Sequence, residues 1–165
     1  MGMVLSIVQF SATKLEEYID NPQKFEDDLG SLEKNKNDIP VYLDKSWEAV
    51  HFILTGNKIG NGEPPLSLAV YGLHFFDEGQ DLGMGPACYL FPDQVKVINS
   101  ILEGWDESFV KERYNPEKMD QIGIYPTFWK KDPTLIDYVS DNFKKLKRFY
   151  KDAALKGNAV ASYLG

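Results

Sequence analysis

Hydrophobic and polar positions follow a helical period most clearly in the last third of the chain. Over residues 133–156, apolar side chains recur at spacings of three or four: Leu135, Val139, Phe143, Leu146, Tyr150 and Ala153. This spacing places them on one face of a long amphipathic helix. Gly157 is expected to end that helix, and the following "NAVASYLG" is typical of a closing strand.

The first third of the chain predicts a strand and then two helices. The run "MVLSIVQF", residues 3–10, is apolar and β-branched, which indicates a strand buried on both faces. Ser11 or Thr13 can cap the helix that follows, and Pro22 is expected to begin the second helix. Residues 30–40 are polar and indicate an exposed connection.

The middle of the chain alternates between short apolar runs and turn residues. The stretch "SWEAVHFILTG", residues 46–56, predicts a helix that Asp44 or Ser46 caps and Gly56 ends. Further elements are expected as follows: a short helix over 65–72, strands at 73–76 and 87–91, a helix over 92–105, and a helix over 106–121 that breaks near "YNPEK".

Strands at both ends of the chain with helices between them predict an α+β fold. We expect a single compact domain over residues 1–165, with a small sheet that includes the N- and C-terminal strands and packs against several helices, among them the long amphipathic C-terminal helix. A hydrophobic fraction of 43% and an aromatic fraction of 13% are sufficient for a substantial core.

Composition limits the classes of function. Cys88 is the single cysteine, which fits a reducing compartment, and no stretch has the apolar length of a membrane span or the pattern of a signal peptide. A cytoplasmic location and no membrane association are therefore expected. The formal net charge of −7 disfavours a nucleic-acid binder and would suit a basic protein partner.

His51 is the polar residue with the most informative surroundings. At helical spacing, Trp47, Val50, His51 and Leu54 share one face. One interpretation is a core histidine bonded to a backbone carbonyl or a carboxylate. The other is a pocket wall where the ring acts in acid–base chemistry or contacts a ligand. Of the nearby carboxylates, Asp44 approaches this face but lies two turns away and Glu48 does not approach it, so we expect no ready carboxylate–histidine pair within the helix.

Motifs for common chemistries are absent from the sequence. Two histidines cannot form a three-histidine zinc site, and no metal site is expected. The glycine-rich loops have neither the ending of a phosphate-binding loop nor the context of a dinucleotide site, so no cofactor is expected. No nucleophile elbow is present. Catalytic residues stay unassigned, and an enzymatic activity is uncertain.

A basic row lies along the long C-terminal helix beside its apolar stripe: Lys144, Lys147, Arg148 and Lys151. Such a row usually faces solvent, and an anionic partner is the alternative interpretation.

The segment "IYPTFW", residues 124–129, holds three aromatic side chains: Tyr125, Phe128 and Trp129. These rings either clamp a ligand or partner, or cover the hydrophobic core. The candidate ligand-binding residues are therefore Trp47, His51, Thr55, Tyr125 and Trp129.

Several segments in this order resemble the YfbM-like family of small bacterial proteins, which carry a domain of unknown function. The segments are "DKSWEAVHFILTG", "PLSLAVYG", "YLFPDQV", "IYPTFW" and "YKDAALKGNAVASYLG". The resemblance spans the full length and includes Trp47, His51, Thr55 and Gly56. It implies a compact α+β domain and no established activity, so no catalytic residue is carried over from it.

Two hypotheses follow for the function. The first is a non-enzymatic binding or interaction module, one form of which masks a basic protein partner. The alternative is a small-molecule ligand-binding protein or enzyme with a pocket lined by Trp47, His51 and Tyr125. A structural homodimer is a third possibility.

Overall fold

A four-stranded antiparallel sheet forms the centre of the molecule, for which the computed structural model describes residues 2–165. The strands are β1 (Leu5–Phe10), β2 (Val41–Asp44), β3 (Cys88–Leu90) and β4 (Ala159–Leu164). Their order across the sheet is β2-β1-β4-β3. The N- and C-terminal strands are therefore central, and the short strands β2 and β3 form its two edges.

Helices account for most of the remaining chain. Within residues 2–165 they are α1 (Ala12–Asp20), α2 (Pro22–Glu33), α3 (Trp47–Thr55), α4 (Pro92–Leu102), α5 (Glu107–Arg113), α6 (Pro116–Gln121) and α7 (Leu135–Lys156). Pro22 is the first residue of α2, and Ser11 caps α1 by accepting a hydrogen bond from the backbone N–H of Lys14. The predicted stripe of α7 is buried from Val139 to Ala153. Gly157 ends α7 with φ +66°, the left-handed conformation expected of it.

Two hydrophobic clusters lie on opposite faces of the sheet because side chains alternate along each strand. Leu5 and Ile7 of β1 belong to the cluster that α3, α4 and α7 build. Val8 and Phe10 belong to the cluster that α1 and α2 cover. This arrangement confirms the prediction that β1 is buried on both faces, and it confirms the α+β class with the long C-terminal helix.

Two local predictions are wrong, and one strand was not predicted. The connection expected over 30–40 is shorter, because α2 continues to Glu33, and the next strand, β2, was not predicted. The expected helix over 65–72 is a single 3-10 turn, Leu66–Leu68. The backbone N–H of Gly72 donates to Cys88 Sγ at 2.9 Å, so it is not available to continue a helix.

The predicted strand over 73–76 is also reduced. Phe75 forms one isolated antiparallel bridge with Cys88, and the strand expected over 87–91 narrows to β3.

No helix within residues 2–165 combines the length and the apolar character needed to cross a membrane.

Candidate functional site

Helix α3 is enclosed by protein on all sides, since every residue from Trp47 to Leu54 is buried. Gly56 ends the helix at φ +75°, as predicted. The expected side-chain cap is missing, because the hydroxyl of Ser46 donates to the carbonyl of Leu43 at 2.6 Å and Asp44 ends β2. Two titratable side chains of α3, Glu48 and His51, therefore lie inside the molecule.

The imidazole of His51 has no solvent exposure (0%). Its Nε2 lies 3.0 Å from the carbonyl oxygen of Asn61. Because a carbonyl oxygen only accepts hydrogen bonds, Nε2 must carry the proton of this bond. Nδ1 is buried and has no hydrogen-bond partner within residues 2–165.

Burial lowers the pKa of His51, because the cation loses its hydration inside the protein. The carbonyl of Asn61, the negative charge of Glu48 and the carbonyl of Lys58 oppose this effect without reversing it. The ring is thus neutral near pH 7, and its bond to Asn61 attaches the loop at residues 57–65 to α3.

Glu48 is the other titratable residue of α3, and it is only 2% exposed. Its Oε1 accepts a hydrogen bond from the backbone N–H of Ile59 at 3.2 Å, and its Oε2 accepts one from the N–H of Tyr125 at 2.7 Å. A buried carboxylate needs such donors, since they replace the water it has lost. We refer to Glu48 and His51, with the backbone groups they bind, as the α3 clasp.

Trp47 and Tyr125 stack with ring centroids 5.8 Å apart and planes 26° apart. Both also bind the backbone of Met3. Trp47 Nε1 donates to the carbonyl of Met3 at 3.2 Å, and the Tyr125 hydroxyl accepts from the N–H of Met3 at 2.9 Å. The two rings therefore hold the segment that leads into β1.

The other two candidate residues have separate surroundings. The Thr55 hydroxyl donates to the carbonyl of His51 at 2.9 Å and accepts from the N–H of Asn57 at 3.1 Å. Trp129 is buried in the core, and its Nε1 donates to the carbonyl of Ile124 at 3.0 Å. Trp129 thus covers the core.

Trp47 and His51 lie on α3, and Tyr125 lies on the loop that follows α6, with its ring stacked on that of Trp47. Most of their polar atoms bind backbone groups of the protein itself. The cluster exposes neither the imidazole nor the carboxylate to solvent, and a ligand-binding role for these residues stays a prediction.

Cys88 is a buried free thiol. Burial raises its pKa to about 11, so it is protonated near neutral pH. Within residues 2–165, no group of three His, Cys, Asp or Glu residues lies close enough together to hold a metal ion.

A surface cleft of about 510 Å³ lies between β2 and α7, and we call it the β2–α7 cleft. This volume is within the range of about 300–1,000 Å³ that is common for ligand sites. It is lined by Ile39, Pro40, Val41, Tyr42, Lys145, Arg148, Phe149 and Asp152. Val41 and Phe149 are buried, whereas Ile39 and Tyr42 are 61% and 47% exposed. The cleft therefore offers a largely apolar surface at an open edge of the sheet.

The charges in the β2–α7 cleft are unbalanced. Lys145 and Arg148 are exposed, and neither takes part in any salt bridge formed within residues 2–165. The carboxylate of Asp152 is already engaged, because its Oδ2 accepts hydrogen bonds from Gln9 at 2.9 Å and from Lys156 at 3.0 Å. The cleft consequently presents positive charge beside an apolar floor.

A network of polar side chains fixes one end of the cleft. Gln9 Nε2 donates to the carbonyl of Ile39 at 3.1 Å. Asn158 Nδ2 donates to Oδ1 of Asp38 at 3.2 Å, and Lys156 pairs with the same carboxylate at 3.3 Å. These bonds fix the backbone carbonyl of Ile39 and the side chain of Asp38 at that end of the cleft.

The predicted basic row divides into residues with different roles. Lys144 pairs with Glu107, and Lys147 donates to the carbonyl of Trp105 at 2.7 Å. Only Arg148 of that row lines the cleft, where Lys145 joins it. Lys145 was not part of the predicted row, although its spacing of three from Arg148 and four from Phe149 places all three on neighbouring positions of one helix.

Comparisons with known proteins agree with the fold. The model of the family described as a domain of unknown function (DUF1877) matches residues 1–163. Protein YfbM of Escherichia coli (strain K12) is 24% identical over 168 residues, which cover 96% of this chain and 95% of that protein. The crystal structure of the protein of unknown function YfbM from Escherichia coli superposes with a TM-score of 0.75 and 20% identity, covering 98% and 99% of the two chains. The YfbM-like resemblance read from the sequence is confirmed.

Proposed function

Because the chain belongs to the family described as a domain of unknown function (DUF1877), whose description assigns no activity, we propose a function from the geometry of its surface. We propose that this protein is a non-enzymatic interaction module that binds a segment of a partner protein in the β2–α7 cleft. A cytoplasmic location is part of the proposal, since Cys88 is a free thiol.

The observation that supports this proposal is the exposed apolar surface of the cleft. Ile39 stands largely in solvent in the cleft that the buried Phe149 also lines, and the exposed Tyr42, whose hydroxyl donates to the carbonyl of Glu33 in α2, lies at the edge of the cleft. Covering such a surface is favourable, and each leucine-sized side chain that a partner buries there would contribute about 1.5–3 kcal/mol. The polar network beneath Ile39 keeps the surface preformed, which reduces the entropy lost on binding.

The α3 clasp offers less support for a small-molecule site. His51 is sealed, and the carboxylate of Glu48 is committed to two backbone donors. A ligand entering there would have to separate the loops that the clasp joins. We therefore assign the clasp a structural role and the cleft the binding role.

The partner's charge follows from the local surface rather than from the net charge. Seven acidic and only two basic residues lie in residues 12–33, which form the helix pair on the opposite face of the sheet. A basic partner stays a prediction from net charge alone. The exposed cations Lys145 and Arg148 favour an acidic segment in the cleft.

Selection of peptides from a random library tests the proposal. Twelve-residue peptides displayed on phage would be selected on the native protein and then measured as free peptides by fluorescence anisotropy. We expect the enriched peptides to bind at least tenfold more weakly to the double variant Ile39→Ser, Arg148→Glu. Both side chains are exposed, so circular dichroism should show an unchanged fold.

Lys151→Glu provides the matched control, because Lys151 is an exposed cation of the same helix that does not line the cleft. It should leave the affinity within about twofold of the native value, given the small worth of surface charge contacts. Failure to enrich any peptide would overturn the proposal, as would enriched peptides that bind the double variant and the native protein equally.

A further inference from the structure

Strand β2 is an edge of the sheet, because β1 is its only neighbouring strand among residues 2–165. It pairs with β1 in antiparallel register, Ser6 opposite Tyr42 and Ile7 opposite Val41. The other side of an edge strand presents backbone N–H and C=O groups that a further strand can bind. The open edge and the β2–α7 cleft share Val41 and Tyr42.

An added strand would place its side chains alternately on the two faces of the sheet. Those on the α7 face would meet the buried Val41 and Phe149, with Lys145 and Arg148 beside them. Residues two apart in such a segment point to the same face. An apolar side chain would therefore contact the floor while acidic side chains two positions away approach the cations.

We infer that the β2–α7 cleft recognises an extended acidic segment that joins the sheet as a fifth strand beside β2. The segment carries one apolar side chain flanked, two residues away, by a carboxylate. Backbone hydrogen bonds to β2 supply affinity in this mode of recognition, and the alternate side chains supply specificity. This inference rests on the proposed function and adds the chemistry and conformation of the partner.

Charge complementarity is the observation that selects this occupant. The carboxylate inside the cleft, that of Asp152, is already bound by Gln9 and Lys156. The exposed cations Lys145 and Arg148 therefore have no anionic partner within residues 2–165. A second copy of this chain would offer its own cation-bearing edge, so like charges would face each other if the two β2 edges met. An acidic segment from another protein avoids that repulsion.

The probe is a nine-residue peptide of threonine and serine with leucine at its fifth position and glutamate at its third and seventh. Its symmetry makes the result independent of strand direction. In an extended conformation the leucine and both glutamates lie on one face. A second peptide carries the glutamates at the fourth and sixth positions, on the face opposite the leucine, and a third carries glutamine at the third and seventh.

Fluorescence anisotropy of the labelled peptides at low salt measures the affinities. We expect the first peptide to bind at least tenfold more tightly than the second and the third. Lys145→Gln combined with Arg148→Gln should remove this preference, whereas Lys151→Gln should keep it. Ile39→Ser should weaken the first peptide without changing its preference for glutamate over glutamine.

The outcomes separate this inference from the proposed function. Suppose that library peptides bind the cleft, but the second or the third designed peptide binds as tightly as the first. The inference is then overturned, and the proposed interaction module stands. If no peptide binds the cleft, both are overturned. A dimer of the native protein in light scattering that Ile39→Ser dissociates would identify a second copy as the occupant and would also overturn the inference.

Discussion

Glu48 and Tyr125 lie 77 positions apart in the sequence, yet Oε2 of the carboxylate accepts a hydrogen bond from the Tyr125 N–H at 2.7 Å. The second oxygen of the same carboxylate holds the N–H of Ile59. One side chain of α3 thus fixes two loops at once, and the stacked rings of Trp47 and Tyr125 extend this contact to the segment before β1. The helix that carries the most suggestive sequence motif is an internal support.

Glu48→Gln should destabilise the fold, because glutamine offers one acceptor oxygen where the carboxylate offers two. One buried N–H, that of Ile59 or Tyr125, would then face an amide NH2 group. Leaving a buried donor unsatisfied costs about 1–3 kcal/mol of unfolding free energy. Urea denaturation followed by circular dichroism measures this loss.

The exposed Glu16 on α1 provides the control for that variant. Glu16→Gln should change the unfolding free energy by no more than about 0.5 kcal/mol. Equal stability of the two variants would show that the carboxylate of Glu48 is not a structural support.

His51 should make stability depend on pH just below neutrality. Burial lowers its pKa in the folded protein below the 6.5 of an unperturbed histidine. As the pH falls through 6.5, the unfolded chain gains a proton that the folded protein does not, so the unfolding free energy decreases. Above that pH both states are neutral and this contribution to stability is fully present. The slope from one such group approaches about 1.4 kcal/mol per pH unit at most.

Denaturation curves of the native protein, His51→Gln and His74→Gln between pH 7.5 and about 5.5 measure this slope. His51→Gln should be less stable at pH 7.5, and its difference from the native protein should narrow as the pH falls. The exposed His74 serves as the control, because His74→Gln leaves the buried imidazole of His51 in place and should retain the loss of stability that His51 causes as the pH falls. If the unfolding free energy of His51→Gln depended on pH as steeply as that of the native protein, His51 would be excluded as the source of this dependence.

The local pattern of residues was sufficient to predict those elements whose sequence signals lie within one helical turn or one strand. The stripe of α7, the start of α2 at Pro22 and the left-handed ends at Gly56 and Gly157 were all predicted. Each depends on helical periodicity or on the backbone preference of a single residue type. The alternating burial of β2 is also a local pattern. It was too short to predict a strand, because β2 has four residues and follows a polar connection.

The candidate site was less predictable because its partners are distant in sequence. Glu48 stands three residues before His51, close enough for its charge to act on the imidazole, but its bonds to Ile59 and Tyr125 could not be predicted from the helix. The cleft likewise joins Ile39 and Tyr42 with Lys145 and Arg148, more than a hundred residues further on. Helical periodicity identifies which face of α7 is apolar, but not which strand lies against it.

Two glycine substitutions should have opposite effects on stability. Gly62 has φ +111°, and a Cβ there would lie 2.8 Å from Cβ of Thr55, so Gly62→Ala should cost on the order of 1–3 kcal/mol. Gly30 lies within α2, where an added Cβ would meet no atom within 4 Å. Gly30→Ala should stabilise the protein by about 0.5–1 kcal/mol, since alanine has the higher helix propensity.

Thermal unfolding of the two alanine variants checks this contrast. A higher melting temperature for Gly30→Ala and a lower one for Gly62→Ala are expected. An unchanged melting temperature for Gly62→Ala would contradict the close contact between that loop and Thr55.

We assign binding to the cleft and structural support to the α3 clasp. The most direct test titrates the isotope-labelled protein with the acidic nine-residue peptide and records the amide chemical shifts. The account predicts that the largest changes occur at Tyr42, Lys145 and Arg148, with little change at Trp47 and His51. Changes centred on Trp47, His51 and Tyr125, with the cleft unaffected, would contradict it.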